Sequence, residues 1–344
     1  MNCKYQHINE LNYINLFIEE VRFAIVMKWN NSDHFIYSIV VLIKVTNHYQ
    51  FKLNSCSGEF SFSIYEYQHQ HRMNKIMILF LILNGLPGKT FYINYKMYFT
   101  IIFNNFNRII IHGWLNDATS DINQLAFLTR GSYNIIVTSW GSIAQNINYG
   151  AVTNYVPDVG LVLSKFLQFL NQMSGLSYNS VYLIGHSLGA HVAGRAGSLL
   201  NQKINTIFAL DPAEPGYKNV LPEYRIDSSD AEYVEVIHTN GGFLGIFEPI
   251  GHADFYPNYG HDQLGCDYFF GCSHSRAYQY FAESINSSLG FWAKQCAGVH
   301  EILNGKCSFV GDFVQMAKEP SIPKKGLYYL STRMSAPFAM GKSK

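Results

Sequence analysis

The sequence predicts an α/β protein with a mainly parallel central sheet and helices on both faces. From Asn107 onward, short apolar runs alternate with helical segments, and each run ends in glycine or a polar residue. Strands buried in parallel sheets are apolar along their whole length, and ligands bind such sheets where the strands end. We therefore expect the functional residues at the carboxyl edge of the sheet.

Composition restricts the class of protein further. A chain of 344 residues with 48% hydrophobic and 14% charged residues can bury a sizeable core and is not of the disordered type. The net charge of +1, without a basic run, gives no reason to expect a nucleic-acid partner. Two close cysteine pairs, Cys266 with Cys272 and Cys296 with Cys307, lack histidines at zinc spacing. They predict disulfides in an oxidising compartment, and so a secreted, extracellular protein.

The first elements after residue 107 follow from their patterns. Residues 108–112 read as a strand that ends at Gly113 and Trp114, residues 121–129 as a helix, and residues 134–140 as the next strand. Residues 151–171 carry apolar side chains at helical spacing, which predicts an amphipathic helix.

The segment from Ser180 to Leu200 contains the strongest local motif. An apolar run enters Gly185-His186-Ser187-Leu188-Gly189 and continues into a stretch of small residues, which predicts a strand, a sharp turn and a helix. Flanking glycines let the strand and helix approach each other, and the helix directs its first N–H groups at the serine. The alternative is a tight structural turn, but such a turn has no need of serine.

A serine hydroxyl becomes a nucleophile only when a base takes its proton and an acid orients that base. Asp211 follows the apolar run 206–210 and is the candidate acid, although an aspartate before proline can also be a turn residue. Spacing cannot choose the base among the downstream histidines, which are His238, His252, His261, His274 and His300. His274 is favoured because it lies beside Cys272 and directly before a helical run.

A series of motifs in one order resembles the pancreatic lipase family over roughly residues 105–341. The motifs are IIIHGW at 109–114, GHSLGAHVAG at 185–194, LDPAEP at 210–215, VIHTNGG at 236–242, PIGHADFYPN at 249–258 and CSHSRA at 272–277. Within this family, the chain resembles the short-lid animal members, which include insect neutral lipases and wasp-venom-type phospholipases A1. The resemblance implies an α/β-hydrolase fold.

Carried over residue by residue, the resemblance implies that Ser187 is the nucleophile, Asp211 the acid and His274 the base. The oxyanion hole would be formed by the backbone N–H groups of Trp114 and Leu188. Asp227 and Asp230 resemble a structural calcium loop, with a solvated turn as the alternative; no cofactor is required for the chemistry.

The sequence also departs from the family pattern. Only five residues separate the cysteines that enclose the lid, namely Asp267, Tyr268, Phe269, Phe270 and Gly271. We therefore expect weak interfacial activation and an aromatic trio that either enters a lipid surface or packs. No carboxyl-terminal β-sandwich and no colipase-type partner are expected.

Residues 1–107 overuse Asn, Ile, Lys, Tyr and Phe with little periodicity. We expect residues 1–55 to be a divergent or non-native extension and residues 56–344 to be a lipase-like domain, with residues 105–341 as its best-matched part. The strand-like run 60–67 resembles the opening strand of the family.

The function expected from these patterns is a secreted serine ester hydrolase that releases fatty acid from a triacylglycerol or a phospholipid at an interface. The alternatives are a non-catalytic lipid-binding or yolk-type member of the family and an inactive product of a damaged coding sequence.

Overall fold

A nine-stranded, mostly parallel β-sheet forms the centre of the computed structural model in the described part of the chain. The structure describes residues 26–29, 35–38, 40–43, 50–55, 58–67, 76–80, 106–117, 126–127, 129–130, 133–138, 140–266, 270–318 and 321–342. Six strands lie in the amino-terminal part: β1 (Val26–Trp29), β2 (Phe35–Ser38), β3 (Val40–Ile43), β4 (Gln50–Ser55), β5 (Gly58–Tyr67) and β6 (Ile76–Phe80). They form a two-stranded sheet, β1-β2, and a four-stranded antiparallel sheet in the order β3-β6-β5-β4.

The central sheet has the strand order β14-β13-β15-β12-β11-β10-β9-β7-β8. Its strands are β7 (Phe106–Ile111), β8 (Tyr133–Thr138), β9 (Val181–His186), β10 (Thr206–Leu210), β11 (Tyr233–Ile237), β12 (Ala253–Pro257), β13 (Phe291–Cys296), β14 (Phe309–Met316) and β15 (Gly326–Leu330). Every pairing is parallel except those of β13 with β14 and with β15. The predicted α/β class with a mainly parallel sheet is confirmed.

Helices cover both faces of this sheet. Within the described residues, the helices with defined bounds are α1 (Gly141–Ala144), α2 (Tyr149–Ser174), α3 (Leu188–Ser198), α4 (Cys272–Asn286) and α5 (Val299–Leu303), and residues 126–127 and 129–130 are also helical. Short 3-10 helices span Tyr178–Ser180, Pro222–Tyr224, Ser228–Asp230 and Asn258–Gly260.

The hydrophobic core consists of two large clusters, one on each face of the sheet, because successive side chains of the central strands point to opposite faces. In β7, Ile109 and Ile111 pack in the cluster that contains residues of α2 and α3, whereas Ile110 packs with residues of α4. Because successive strand side chains point to opposite faces, an entirely apolar strand requires a cover on each side. This requirement explains the uninterrupted Ile-rich and Val-rich runs in the sequence.

The predicted element boundaries agree with the structure to within a few residues. The run 206–210 coincides with β10, residues 108–112 and 134–140 correspond to β7 and β8, and residues 151–171 lie within α2. Most of the predicted helix 121–129 lies outside the described residues. The run 60–67 lies in β5, which pairs antiparallel with β4 and β6 instead of entering the central sheet.

Both predicted disulfides are present, joining Cys266 to Cys272 and Cys296 to Cys307. Within the described ranges, no helix combines the length and the apolar character needed to cross a bilayer.

Candidate active site

Ser187 lies at the turn between β9 and α3, and its backbone is strained. Its φ and ψ of 57° and −123° lie in a region that residues with a side chain rarely adopt. A Cβ on Gly185 would overlap the carbonyl of Gly189, and a Cβ on Gly189 would overlap the carbonyl of Ile111. The two glycines therefore permit the close approach of α3 to β9 and β7 that holds Ser187 at the sheet edge.

Asp211 follows β10, the next strand in the sheet, and is fully buried. Its Oδ1 accepts hydrogen bonds from the backbone N–H groups of Thr239 (2.7 Å) and Asn240 (3.0 Å), which follow β11. A Cβ on Gly245 would overlap this carboxyl group, so the loop after β11 packs tightly around it. These contacts leave Oδ2 free to face a further donor.

That donor is His274, the third residue of α4. Its Nδ1 lies 2.5 Å from Asp211 Oδ2, although 63 residues separate the two in the chain. A carboxylate only accepts, so Nδ1–H donates and Nε2 is left as an acceptor. The structure thus provides a buried carboxylate that orients a partly exposed imidazole, with the free nitrogen available to take a proton.

His186, the residue before Ser187, ties the helix with His274 to the serine turn. Its Nε2–H donates to the carbonyl of His274 at 3.0 Å, and the two rings lie 4.6 Å apart. Burial, followed by the neighbouring His274, lowers the pKa of His186 well below its ordinary value, so the ring is neutral. His186 was not singled out from the sequence, because its bonding partner lies 88 residues away.

The Ser187 side chain is almost buried, with 8% of its surface exposed. Among the residues that the structure describes, its hydroxyl has no hydrogen-bond partner. Hydrogen bonds between a nucleophile and its base are often long without substrate and shorten when the substrate binds. Ser187, Asp211 and His274 thus lie on elements that meet at one edge of the sheet.

The other downstream histidines have different partners. His238 contacts the Ile246 carbonyl through Nδ1 (2.7 Å) and Asp254 through Nε2 (2.9 Å), both in the interior. His252 accepts a hydrogen bond from the N–H of Val234, and His261 contacts the carbonyl of Gly241. Only His274 of the five contacts Asp211.

The candidate oxyanion residues belong to two different segments next to Ser187. Leu188 is the first residue of α3, and N–H groups in a first helical turn have no partner within the helix. Trp114 belongs to the loop after β7, where a Cβ on the preceding Gly113 would come within 2.8 Å of Ser187 Cβ. The Trp114 indole donates to the Asn146 carbonyl at 2.7 Å, so its ring is fixed independently of its amide.

Two more buried histidines, neither of them predicted from the sequence, support the loops around the site. The Trp140 N–H donates to His112 Nε2, and His112 Nδ1 contacts the Gly113 carbonyl. His191 links α3 to the Ala213 carbonyl in the loop after Asp211. Burial lowers the pKa of His112 to about 4 and that of His191 to about 3. Both rings are therefore neutral supports, and only their long-range contacts reveal this role.

Comparison with known proteins identifies the family of the chain. The family model described as Lipase matches residues 99–338, which is more than half of the chain. The chain belongs to the lipase family. It is 36% identical to pancreatic lipase-related protein 2 of Cavia porcellus over 230 residues, 60% of this chain and 51% of that protein. It is 34% identical to phospholipase A1 member A of Rattus norvegicus over 259 residues, 69% of this chain and 56% of that protein.

Lipase member H of Oryctolagus cuniculus is 34% identical over 204 residues, 56% of this chain and 43% of that protein. The chain thus spans about half the length of the relatives it matches. The predicted family and the α/β-hydrolase fold are confirmed.

The segment that would form the lipase lid lies next to His274. The Cys266–Cys272 disulfide closes it, and His274 follows two residues later. Phe270 is 77% exposed and contacts the ring of Phe243, while Gly271 precedes α4 in a left-handed conformation. Asp267, Tyr268 and Phe269 lie outside the described residues, so the predicted role of the aromatic trio stays a prediction.

Asp227 and Asp230, the predicted calcium ligands of the lipase, bond to their own turn. The side chain of Asp227 accepts from the N–H of Ser229 (2.5 Å), and that of Asp230 accepts from the N–H of Asp227 (2.9 Å). Within the described residues, no third acidic, histidine or cysteine side chain completes a metal-binding group. Calcium also takes oxygens from backbone carbonyls and water, and calcium binding at this turn stays a prediction.

The carboxyl of Asp230 predicts a pH dependence of stability. Burial raises its pKa from the ordinary 3.8 to about 7, so the folded protein holds a proton that the unfolded chain has lost. The stability from this group is complete below about pH 4 and is lost as the pH rises through about 7, by at most about 4 kcal/mol. We expect Asp230→Asn to remove this loss. Thermal unfolding of both proteins between pH 4.5 and 8 measures it, and identical pH profiles would contradict the assignment.

Proposed function

We propose that the chain is a secreted serine carboxylic-ester hydrolase that releases fatty acid from a lipid through an acyl-enzyme. The observation that carries the proposal is the Asp211–His274 hydrogen bond beside the strained turn of Ser187. Membership of the lipase family supports the same chemistry. Residues 56–344 form the catalytic domain in this proposal.

In the first half of the reaction, Ser187 Oγ attacks the carbonyl carbon of the ester while its proton passes to His274 Nε2. Asp211 stabilises the resulting imidazolium. The N–H groups of Trp114 and Leu188 donate to the negative carbonyl oxygen. The bond to the leaving alcohol then breaks, and His274 returns the proton to the alcohol oxygen.

In the second half, water attacks the acyl carbon and gives one proton to His274. The bond between the acyl carbon and Ser187 Oγ breaks, the proton returns to the serine, and a fatty acid leaves. Protons and charges balance over the whole cycle. The three side chains are sufficient for the reaction, and no cofactor takes part.

Several observations support a lipid as substrate and the cell exterior as location. Relatives of the chain are named as lipases and phospholipases A1. The short segment between Cys266 and Cys272 leaves little chain to cover the entrance, which supports weak interfacial activation. Two disulfides fit an oxidising compartment. Triacylglycerol and phospholipid are both retained as substrate classes.

A covalent label tests the nucleophile directly. A fluorophosphonate forms a bond from phosphorus to a serine oxygen and releases fluoride, but reacts only with an activated serine. We expect it to stop fatty-acid release from phosphatidylcholine and triolein, with the added mass on the peptide that contains Ser187. Heat-unfolded protein is the control and should stay unlabelled. Labelling of a different serine, or full activity after labelling of Ser187, would rule out the proposed mechanism.

A further inference from the structure

A small cavity adjoins the candidate active site on the side of the lid segment. Its volume is about 170 Å³, and it is partly open to solvent. It is lined by Asn240, Phe243, Asp262, Cys266, Phe270, Gly271 and Ser273. Ser273 precedes His274, and the N–H of Asn240 bonds to Asp211. The cavity therefore borders residues that adjoin the candidate acid and base.

Two aromatic rings form one side of the cavity. Phe243 and Phe270 lie edge to face, with ring centroids 6.0 Å apart and planes at 80°. They are 60% and 77% exposed, so their faces are not used in the core. Exposed aromatic pairs at a site entrance indicate a ligand surface. The negative face of an aromatic ring attracts cations.

The charge of the lining points to the same class of ligand. Asp262 is the one charged residue among the described lining residues, and no basic side chain in the described part of the chain pairs with it. The lining of the cavity therefore combines one carboxylate with two aromatic rings. An acyl chain would have to lie against this carboxylate and the polar Asn240 and Ser273, which disfavours it.

We propose that this cavity binds the quaternary ammonium of a choline headgroup, so that phosphatidylcholine is a preferred substrate. Aromatic rings together with a carboxylate are the chemistry that recognises quaternary ammonium groups, and the cavity is large enough for a trimethylammonium group. The inference rests on the proposed lipid hydrolysis for its biological meaning. The binding itself does not require turnover.

Binding to a protein that cannot hydrolyse the lipid tests the site separately from catalysis. The Ser187→Ala variant is titrated with dihexanoyl-phosphatidylcholine and dihexanoyl-phosphatidylglycerol, each below its micelle concentration. We expect tighter binding of the choline lipid. Adding Asp262→Asn should weaken choline-lipid binding about threefold to tenfold and leave glycerol-lipid binding unchanged or tighter. Phe270→Leu keeps an apolar side chain but removes the ring, and should also weaken choline-lipid binding.

Asp158→Asn is the matched control, because Asp158 is an exposed residue of α2 that does not line the cavity. An unchanged ratio of the two affinities in Asp262→Asn would overturn the proposal, as would an equal shift in Asp158→Asn. Hydrolysis of p-nitrophenyl butyrate by the wild-type protein and by Ser187→Ala is measured in parallel. If neither protein hydrolyses this uncharged ester, the proposed function fails, while the affinity ratio still decides the headgroup site.

Discussion

Replacing Ser187 with alanine is expected to lower ester hydrolysis about 10⁶-fold, to the residual rate that binding and the oxyanion hole sustain. The substitution removes only the oxygen that would attack the carbonyl. Among the described residues this oxygen has no hydrogen-bond partner, and the Ser187 N–H to Leu210 carbonyl bond does not depend on it. Fatty-acid release from phosphatidylcholine and from triolein, followed with purified protein, measures the loss.

Ser198→Ala is the control for this experiment. Ser198 ends the same helix and is exposed, and its hydroxyl donates to the nearby Arg195 carbonyl. Both variants should unfold at nearly the wild-type temperature, so that a difference in activity reflects chemistry and not folding. Equal activity of Ser187→Ala and wild type would favour the non-catalytic, lipid-binding alternative.

Replacing Asp211 with asparagine is expected to lower the maximal rate about 10⁴-fold while the fold persists. The Thr239 and Asn240 N–H groups require an oxygen at the Oδ1 position, so the new amide nitrogen must face His274. That nitrogen donates, and His274 Nδ1 must then accept and carry no proton. The proton moves to Nε2, where it blocks acceptance of the serine proton.

The double variant Ser187→Ala/Asp211→Asn separates this effect from general damage. If Asp211 acts through His274 on the serine, the double variant should be about as slow as Ser187→Ala alone, because residues of one catalytic unit are strongly non-additive. Losses that multiply would indicate that Asp211 acts elsewhere. Activity of Asp211→Asn within tenfold of wild type would contradict the tautomer argument.

The local sequence was sufficient to predict the strand and the turn that lie near the site. The run 206–210 is buried along its whole length, as expected of a central parallel strand, and it coincides with β10. The turn at Ser187 could also be predicted from the local sequence. A Cβ on Gly185 would overlap Gly189 and a Cβ on Gly189 would overlap Ile111, and any strand-to-helix turn of this kind requires such close approaches.

The choice of base could not be made from local pattern. His238 also follows a strand and precedes a glycine-containing loop, but its ring nitrogens face the Ile246 carbonyl and Asp254. Chain spacing contains no information about which histidine the folding of α4 brings to Asp211. The position of His274 beside Cys272 and before a helical run favoured it, and the motif resemblance assigned it, whereas the bracing roles of His112 and His186 required coordinates.

The Cys266–Cys272 disulfide closes the lid segment and also holds the start of α4, the helix that carries His274. The chain between the two cysteines is fixed at both ends, while α4 is packed on the sheet through residues such as Phe281. Insertions between these cysteines can therefore lengthen a flap over the entrance without displacing the base. Related proteins can therefore differ in the length of this segment, and so in how substrates reach the site, while the reaction chemistry stays the same.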